Sequence, residues 1–276
     1  MHDDALIDGV AARGGWLSER AFQFGDGLFE TIAVIDREPC LWRAHLARLE
    51  QGCSRLRLPP PDRDRLAAEC AALCAHHLRG VLKLYWTAGR SMRGYRRPVP
   101  VQPRYYLSIS DWPYAEPPRD WTVRLCGQRL GENPQLAQIK HLNRLDQVIA
   151  RAEWDQTGID EGLMCGQDGR VVCGTMSNLY VQRGERLLTP ALDGAGIAGV
   201  VRGLALELAA AGGFTLETGH VSLGAVRDAD ALYLSNSLIG VVRVRRFEGR
   251  VYDAGLPEHP LMTQTRAACH RPERLQ

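Results

Sequence analysis

Gln138-Ile139-Lys140-His141-Leu142-Asn143-Arg144-Leu145 is the segment on which the reading of this chain turns. Lysine and arginine together number 34, and only Lys83 and Lys140 among them are lysines. A lysine kept in so arginine-rich a chain is a candidate for work that a guanidinium cannot do: losing its proton and attacking a carbonyl. Lys140 follows Pro134 near an expected helix start, with Ile139 and Leu142 as apolar cover. An amine there is open to desolvation and a lowered pKa. The alternative is an ordinary lysine that caps or pairs near a helix end. Lys83, in Val81-Leu82-Lys83-Leu84-Tyr85-Trp86, alternates with Leu82 and Leu84, which turns it toward water.

Upstream, Phe29 to Ile35 reads as a strand, followed by a turn at Asp36-Arg37-Glu38-Pro39. Leu41, Leu46, Leu49, Cys53 and Leu56 recur at mostly helical spacing, so Leu41 to Leu56 is an amphipathic helix that ends before three prolines. A second helix follows from Leu66 to Leu78, then strands at Val81 to Thr87 and Tyr105 to Ser110, separated by the polar stretch Ala88 to Arg97. Trp112-Pro113-Tyr114-Ala115-Glu116-Pro117-Pro118 is stiff and continues neither element, so it reads as a linker. Beyond it come a strand at Thr122 to Cys126, a helix from about Leu142 to Thr157, and strands at Gly162 to Cys165 and Asn178 to Gln182. A helix at Val200 to Ala211 and a strand at Ala231 to Leu234 complete the pattern. The expectation is an α/β (α+β) chain: a small N-terminal domain over 1–111, a linker over 112–118 and a larger C-terminal domain over 119–276.

Composition narrows the function classes. With 276 residues, 45% of them hydrophobic, the chain can bury one large core or two modest ones without a structural metal. A formal net charge of +2 is too small for a dedicated nucleic-acid binder. No apolar run approaches the roughly 18 residues of a membrane span. The acidic start Met1-His2-Asp3-Asp4 lacks the basic and apolar regions of a signal peptide, so a cytoplasmic protein is expected. The eight cysteines show no CxxC spacing, and no metal site is expected; Cys70 and Cys74, one helical turn apart, suit packing.

Other segments have chemistry open to two readings. Ala195-Gly196-Ile197-Ala198-Gly199-Val200-Val201-Arg202 runs into a helix, where free backbone amides suit a phosphate, or it is a loop that needs positive φ at glycine. Asp26-Gly27 is a common turn signal before the first long strand. His45 and Arg48 share nearly one helical face, as anion ligands or as surface cations. Ser235-Asn236-Ser237 closes a strand with small polar groups that hold an anion or simply turn the chain.

Taken in order, Phe24-Gly25-Asp26-Gly27-Leu28-Phe29-Glu30, His45-x-x-Arg48-Leu49, Ile139 to Leu145, Asn178-Leu179-Tyr180 and Gly199-Val200-Val201-Arg202 resemble the fold-type IV pyridoxal-phosphate enzymes. These include branched-chain and D-amino-acid aminotransferases and aminodeoxychorismate lyases. Lys140 to Leu145 followed by Gln147-Val148, together with Arg93-Gly94-Tyr95, resembles the lyase version. The resemblance implies pyridoxal 5'-phosphate as cofactor and a mixed-sheet or barrel-like C-terminal core. It also implies a homodimer acting on a small molecule, 4-amino-4-deoxychorismate in the lyase case. Lys140 matches the Schiff-base lysine and Arg48 the arginine on the cofactor phosphate. The amides of Val200 and Val201 would complete the phosphate cup, and Ser237 with Asn236 would add a polar contact. Asn178 also falls among the cofactor residues, and Phe29, Thr31, Arg93, Tyr95 and Asn143 fall on the substrate side, with Arg93 and Tyr95 reaching toward the neighbouring subunit's site. Cys173 stands where the family carries a glutamate for the pyridine nitrogen, five residues before Asn178. A thiol is a weak donor, which counts against an aminotransferase, the first alternative to the lyase, and motivates the second, a weakened cofactor-binding protein.

Overall fold

The computed structural model describes residues 5–7, 10–12, 17–91, 94–115, 117, 119–155, 157–252 and 255–275. A short hairpin, β1 (Ala5–Ile7) and β2 (Val10–Ala12), and the helix α1 (Arg20–Phe24) precede the first sheet. That sheet comprises β3 (Gly27–Ile35), β4 (Glu38–Pro39), β5 (Arg79–Thr87) and β6 (Arg104–Ser110), in the order β4-β3-β5-β6 with every join antiparallel. Helices α2 (Trp42–Leu56) and α3 (Arg63–Cys74) lie between β4 and β5 in the chain. Asp62 accepts a hydrogen bond from Arg65 N (3.1 Å), satisfying an amide that the first turn of α3 leaves free. Side chains alternate across a strand. Leu28, Ile32, Leu82 and Leu84 therefore enter a core with Leu49, Cys53, Leu66 and Cys70 from the two helices, while Phe29, Thr31, Lys83 and Tyr85 occupy the opposite face.

The second half is built on nine strands. They are β7 (Trp121–Arg129), β8 (Glu161–Cys165), β9 (Val171–Gly174), β10 (Asn178–Arg183), β11 (Arg186–Pro190), β12 (Leu216–Gly219), β13 (Ala231–Asn236), β14 (Gly240–Phe247) and β15 (Arg250–Val251). The order is β12-β11-β10-β13-β14-β7-β8-β9, with β15 beside β14; β11/β12, β14/β7 and β7/β8 are parallel and the other joins antiparallel. Four helices accompany it: α4 (Leu145–Arg151), α5 (Val200–Gly212), α6 (Leu223–Arg227) and α7 (Pro260–Cys269). Val201 and Ala205 of α5 pack with Leu261 and Met262 of α7 over Tyr180 and Tyr233, while Leu163, Leu179, Leu232 and Val242 form a separate core. The mixed sheet expected of the second half is present. The C-terminal chain returns to the first half, where Glu273 N donates to Pro39 O (2.9 Å).

The helix expected from Leu142 to Thr157 is shorter, Leu145–Arg151. Leu142 N donates to Gly27 O, so that residue is held by β3 outside the helix, and helical periodicity there loses to tertiary pairing. All eight cysteines are buried free thiols. Among the described residues no helix is long and apolar enough to cross a membrane, and no cluster of His, Cys, Asp or Glu could hold a metal ion.

Candidate active site

A short segment bridged on both sides ties the two sheets together around Lys140. Gln138 forms a parallel bridge to Ile197, with Gln138 N donating to Gly196 O and Ala198 N to Gln138 O, both at 2.9 Å. Two residues later Phe29 N donates to Lys140 O and Leu142 N to Gly27 O, both at 3.0 Å. Asn143 Nδ2 donates to Gly25 O (3.0 Å). Gly25 has φ 62°, and a Cβ there would lie 2.7 Å from Asn143 Oδ1, so the turn requires glycine. Gln138 is itself left-handed at φ 73°, a conformation that surrounding bonds must impose on a non-glycine residue.

The Lys140 amine lies 4.2 Å from the centre of the Phe29 ring. Burial, aided by the charges of Arg48, Arg144 and Lys83 and opposed by Glu30, lowers its pKa to about 7. The residue keeps some accessible surface. A large share of Lys140 is therefore neutral and nucleophilic near pH 7. Attachment of an aldehyde such as pyridoxal phosphate to the apoprotein is expected to slow about tenfold per unit below pH 7 and to level off above it. Stopped-flow absorbance across pH 5 to 9 checks this, and a rate still climbing toward pH 9 would contradict the lowered pKa.

An anion seat lies across the segment from this amine. Helix α5 begins at Gly199 without a side-chain cap. The first-turn amides of Val200 and Val201 have no intrahelical acceptor and carry the positive end of the helix dipole. A Cβ on Gly199 would meet Asn178 Oδ1 at 2.0 Å, and Asn178 Nδ2 braces the approach by donating to Ile197 O (2.9 Å). Arg48, from α2, donates Nη1 to Ala198 O (3.0 Å), which brings its guanidinium to the same place. Uncapped amides beside a guanidinium fit a phosphate.

Glu30 holds that arginine. Arg48 Nε donates to Oε1 (2.9 Å) and Nη2 to Oε2, while His45 Nδ1 lies 2.6 Å from Oε2. Burial alone would raise the Glu30 pKa, but Arg48 and His45 outweigh it and hold the carboxyl at about 2. His45 Nε2 is buried with no partner among the described residues.

The other expected site residues fall around this frame. Ser237 Oγ donates to Thr31 O (2.6 Å), joining the β13–β14 turn to the first sheet. Asn236 Nδ2 donates to Met176 O (3.1 Å), and its Oδ1 accepts from Leu238 N and Ile239 N. Both side chains are thus engaged with backbone groups. Cys173 lies on β9 among Cys126, Ala150, Trp154 and Met164. Burial pushes its thiol up to about 12 against the opposing charge of Arg144, so it is neutral. Tyr95 is 84% exposed, its ring 5.3 Å from that of Phe24. Arg93 lies outside the described residues.

Three residues given no role in the sequence organise the site. Arg20 is buried and donates Nε to Asp26 (2.8 Å), Nη1 to Ser91 Oγ (2.8 Å) and Nη2 to Tyr95 O (2.8 Å), which ties the Tyr95 loop to the turn before β3. Glu161 is wholly buried and accepts from Thr175 N (3.0 Å), Met176 N (3.2 Å) and Ser177 Oγ (2.8 Å), shaping the loop between Cys173 and Asn178. Glu30 is the third. An acid within an apolar strand is the signal that would have found both glutamates.

The chain matches the family model of amino-transferase class IV over residues 27–247. It belongs to that family. This class IV protein is 33% identical over 234 residues to aminodeoxychorismate lyase of Vibrio harveyi, a match covering 83% of this chain and 85% of the relative. Its structure superposes on that of 4-amino-4-deoxychorismate lyase from Pseudomonas aeruginosa with a TM-score of 0.85 at 44% identity, covering 94% of this chain and 97% of that one. A hypothetical aminotransferase from Mycobacterium tuberculosis, solved in a PLP-bound form, shares the fold at 23% identity, with a TM-score of 0.74 and 95% of each chain covered.

Proposed function

We propose that this class IV protein binds pyridoxal 5'-phosphate through Lys140 and cleaves 4-amino-4-deoxychorismate to 4-aminobenzoate and pyruvate. The observation that carries the reading is an amine of pKa about 7 held at a set spacing from an anion seat, in a chain 44% identical to the Pseudomonas lyase. Arg48 and the amides of Val200 and Val201 would take the phosphate, with Asn178 bracing the loop and Ser237 and Asn236 closing the far side. When bound, the cofactor supplies an electron sink conjugated to the substrate's amine. Lys140 does the proton work. With cofactor and substrate bound, its neutral Nζ would be the group that removes the proton from the amine-bearing ring carbon. The protonated Nζ can then return a proton as the enolpyruvyl ether leaves. Loss of both groups makes the ring aromatic, which drives the step forward.

Phe29, Thr31 and Asn143 would line the substrate side. The exposed Tyr95 would reach the neighbouring site of a homodimer in the cytoplasm. The neutral thiol of Cys173, at the position where the resembled family carries a glutamate, would hold the cofactor's ring nitrogen weakly. Cys173→Glu is expected to change the visible spectrum of the bound cofactor and to raise turnover. An unchanged spectrum and rate would mean that the thiol does not limit the sink.

The deciding experiment is release of 4-aminobenzoate from freshly generated aminodeoxychorismate by the cofactor-loaded protein. Release supports the lyase. Keto-acid formation from amino acids without release of 4-aminobenzoate would instead identify an aminotransferase.

A further inference from the structure

His45 has no part in the chemistry above, yet it shares a buried carboxylate with the arginine of the anion seat. It lies on α2 one turn before Arg48, its side chain 1% exposed, and both side chains turn to Glu30 on β3. Two donors meet on one oxygen there: His45 Nδ1 lies 2.6 Å from Glu30 Oε2, which also accepts from Arg48 Nη2. Arg48 Nε takes the other oxygen, Oε1, at 2.9 Å. The second nitrogen of the imidazole, Nε2, is buried with no partner among the described residues.

These contacts fix where the ring proton sits. Glu30 is ionised and can only accept, so His45 Nδ1 carries the hydrogen and donates it. A second proton on Nε2 would bury a charged N–H with nothing to receive it, which is costly. Burial lowers the His45 pKa; Glu30 opposes this, and the charges of Arg48 and Lys140 add to it. His45 is therefore a neutral donor of one tautomer, and it grips the carboxylate without bringing another cation toward Lys140. That grip matters for Arg48. A carboxylate and a guanidinium joined by two parallel hydrogen bonds share a plane, so what holds one flat holds the other. Three Arg48 donors are spent, on Glu30 Oε1, Glu30 Oε2 and Ala198 O, and the remaining N–H groups are left for an anion at the start of α5.

We propose that His45 is a positioning residue for phosphate recognition: by pinning Glu30 from one side, it aims the unspent N–H groups of Arg48 at the anion seat. This deepens the cofactor reading and rests on it. His45 is closed off from solvent, so it acts through Glu30 and Arg48 and not on the ligand. Without it, Glu30 Oε2 keeps only the arginine, the carboxylate is free to swing, and the guanidinium swings with it away from Ala198 O. The loss falls on ligands that bring a phosphate. The Lys140 amine, placed by the backbone bonds of its own segment, stays where it is.

The test compares wild type, His45→Leu and His45→Asn as full-length chains stripped of cofactor. Each is titrated with pyridoxal 5'-phosphate, with pyridoxal, which has the aldehyde but no phosphate, and with inorganic phosphate. In His45→Leu, affinity for pyridoxal 5'-phosphate and for inorganic phosphate is expected to fall about tenfold, while pyridoxal binds as it does to wild type. Asparagine can set an amide N–H where Nδ1–H stood, so His45→Asn should recover most of the loss. Nitrogen NMR of the wild-type His45 ring should show a hydrogen on Nδ1 alone from pH 5 to 8. Unchanged phosphate affinity in His45→Leu would overturn the proposal, and so would a hydrogen on Nε2 or no recovery in His45→Asn. Equal weakening toward pyridoxal would also overturn it, because that marks a merely structural role. If wild type takes up phosphate but not pyridoxal 5'-phosphate, the cofactor reading fails, and the phosphate titration still decides what His45 does. A wild type that holds neither overturns both.

Discussion

Lys140→Ala is expected to lower 4-aminobenzoate release by at least about a thousandfold. It removes the group that attaches the cofactor and the group that moves the proton in one change. The effect should not be one of folding, because the backbone bonds that place this residue, Phe29 N to Lys140 O and Leu142 N to Gly27 O, do not use its side chain. Lys140→Arg sharpens the test. It keeps the charge and much of the bulk but cannot lose its proton at neutral pH. Cofactor attachment, read from the visible spectrum or from mass after borohydride reduction, should be lost in Lys140→Arg and kept in Lys83→Arg. The reverse outcome would falsify the assignment of the reactive amine.

Glu30→Ala should cost the most stability. Arg48 and His45 both converge on this carboxylate in a buried setting, and removing it leaves a guanidinium without its partner. Breaking a buried pair from one side costs about 3–5 kcal/mol, which urea denaturation would report directly. Acid titration of the wild type gives an independent view. The Glu30 carboxyl falls from its ordinary 4.5 to about 2 in the folded chain, so folding favours the charged form. Its contribution, on the order of 3 kcal/mol, is complete above about pH 4.5 and is lost as pH falls toward 2. The Glu30→Ala protein should lack that part of the acid slope. An equal slope in both proteins would show that the pair adds nothing across that range.

Much of this was legible from periodicity. The strands around Phe29 and Lys83 alternate cleanly, and the Leu41–Leu56 pattern emerges as α2, one residue shorter. Lys140, Arg48, Asn178 and the start of α5, widely separated in sequence, come together in space. What stayed hidden depends on contacts between distant segments. The Leu142–Thr157 pattern promised a helix through a stretch that pairs with β3 instead. Alternation turned Lys83 away from the core correctly, but whether that side meets solvent or a site depends on what else lies there. Glu30 falls on the same strand face as Leu28 and Ile32, a core position for a charge. Read that way, it calls for a cation on the packed helix, and His45 and Arg48 supply it.

The segment from Gln138 to Leu142 also works as a measuring bar. One end is clipped to the loop before α5 and the other to the start of β3, and both clips are made by peptide groups. The reach from reactive amine to anion seat is therefore set by the number of peptide units between the clips, and is indifferent to most side chains along the way. Substitution within the segment leaves that length alone. A gained or lost residue between Gln138 and Lys140 changes it and shifts the lysine relative to both clips. In this architecture the tolerance of the site is set by chain length more than by composition.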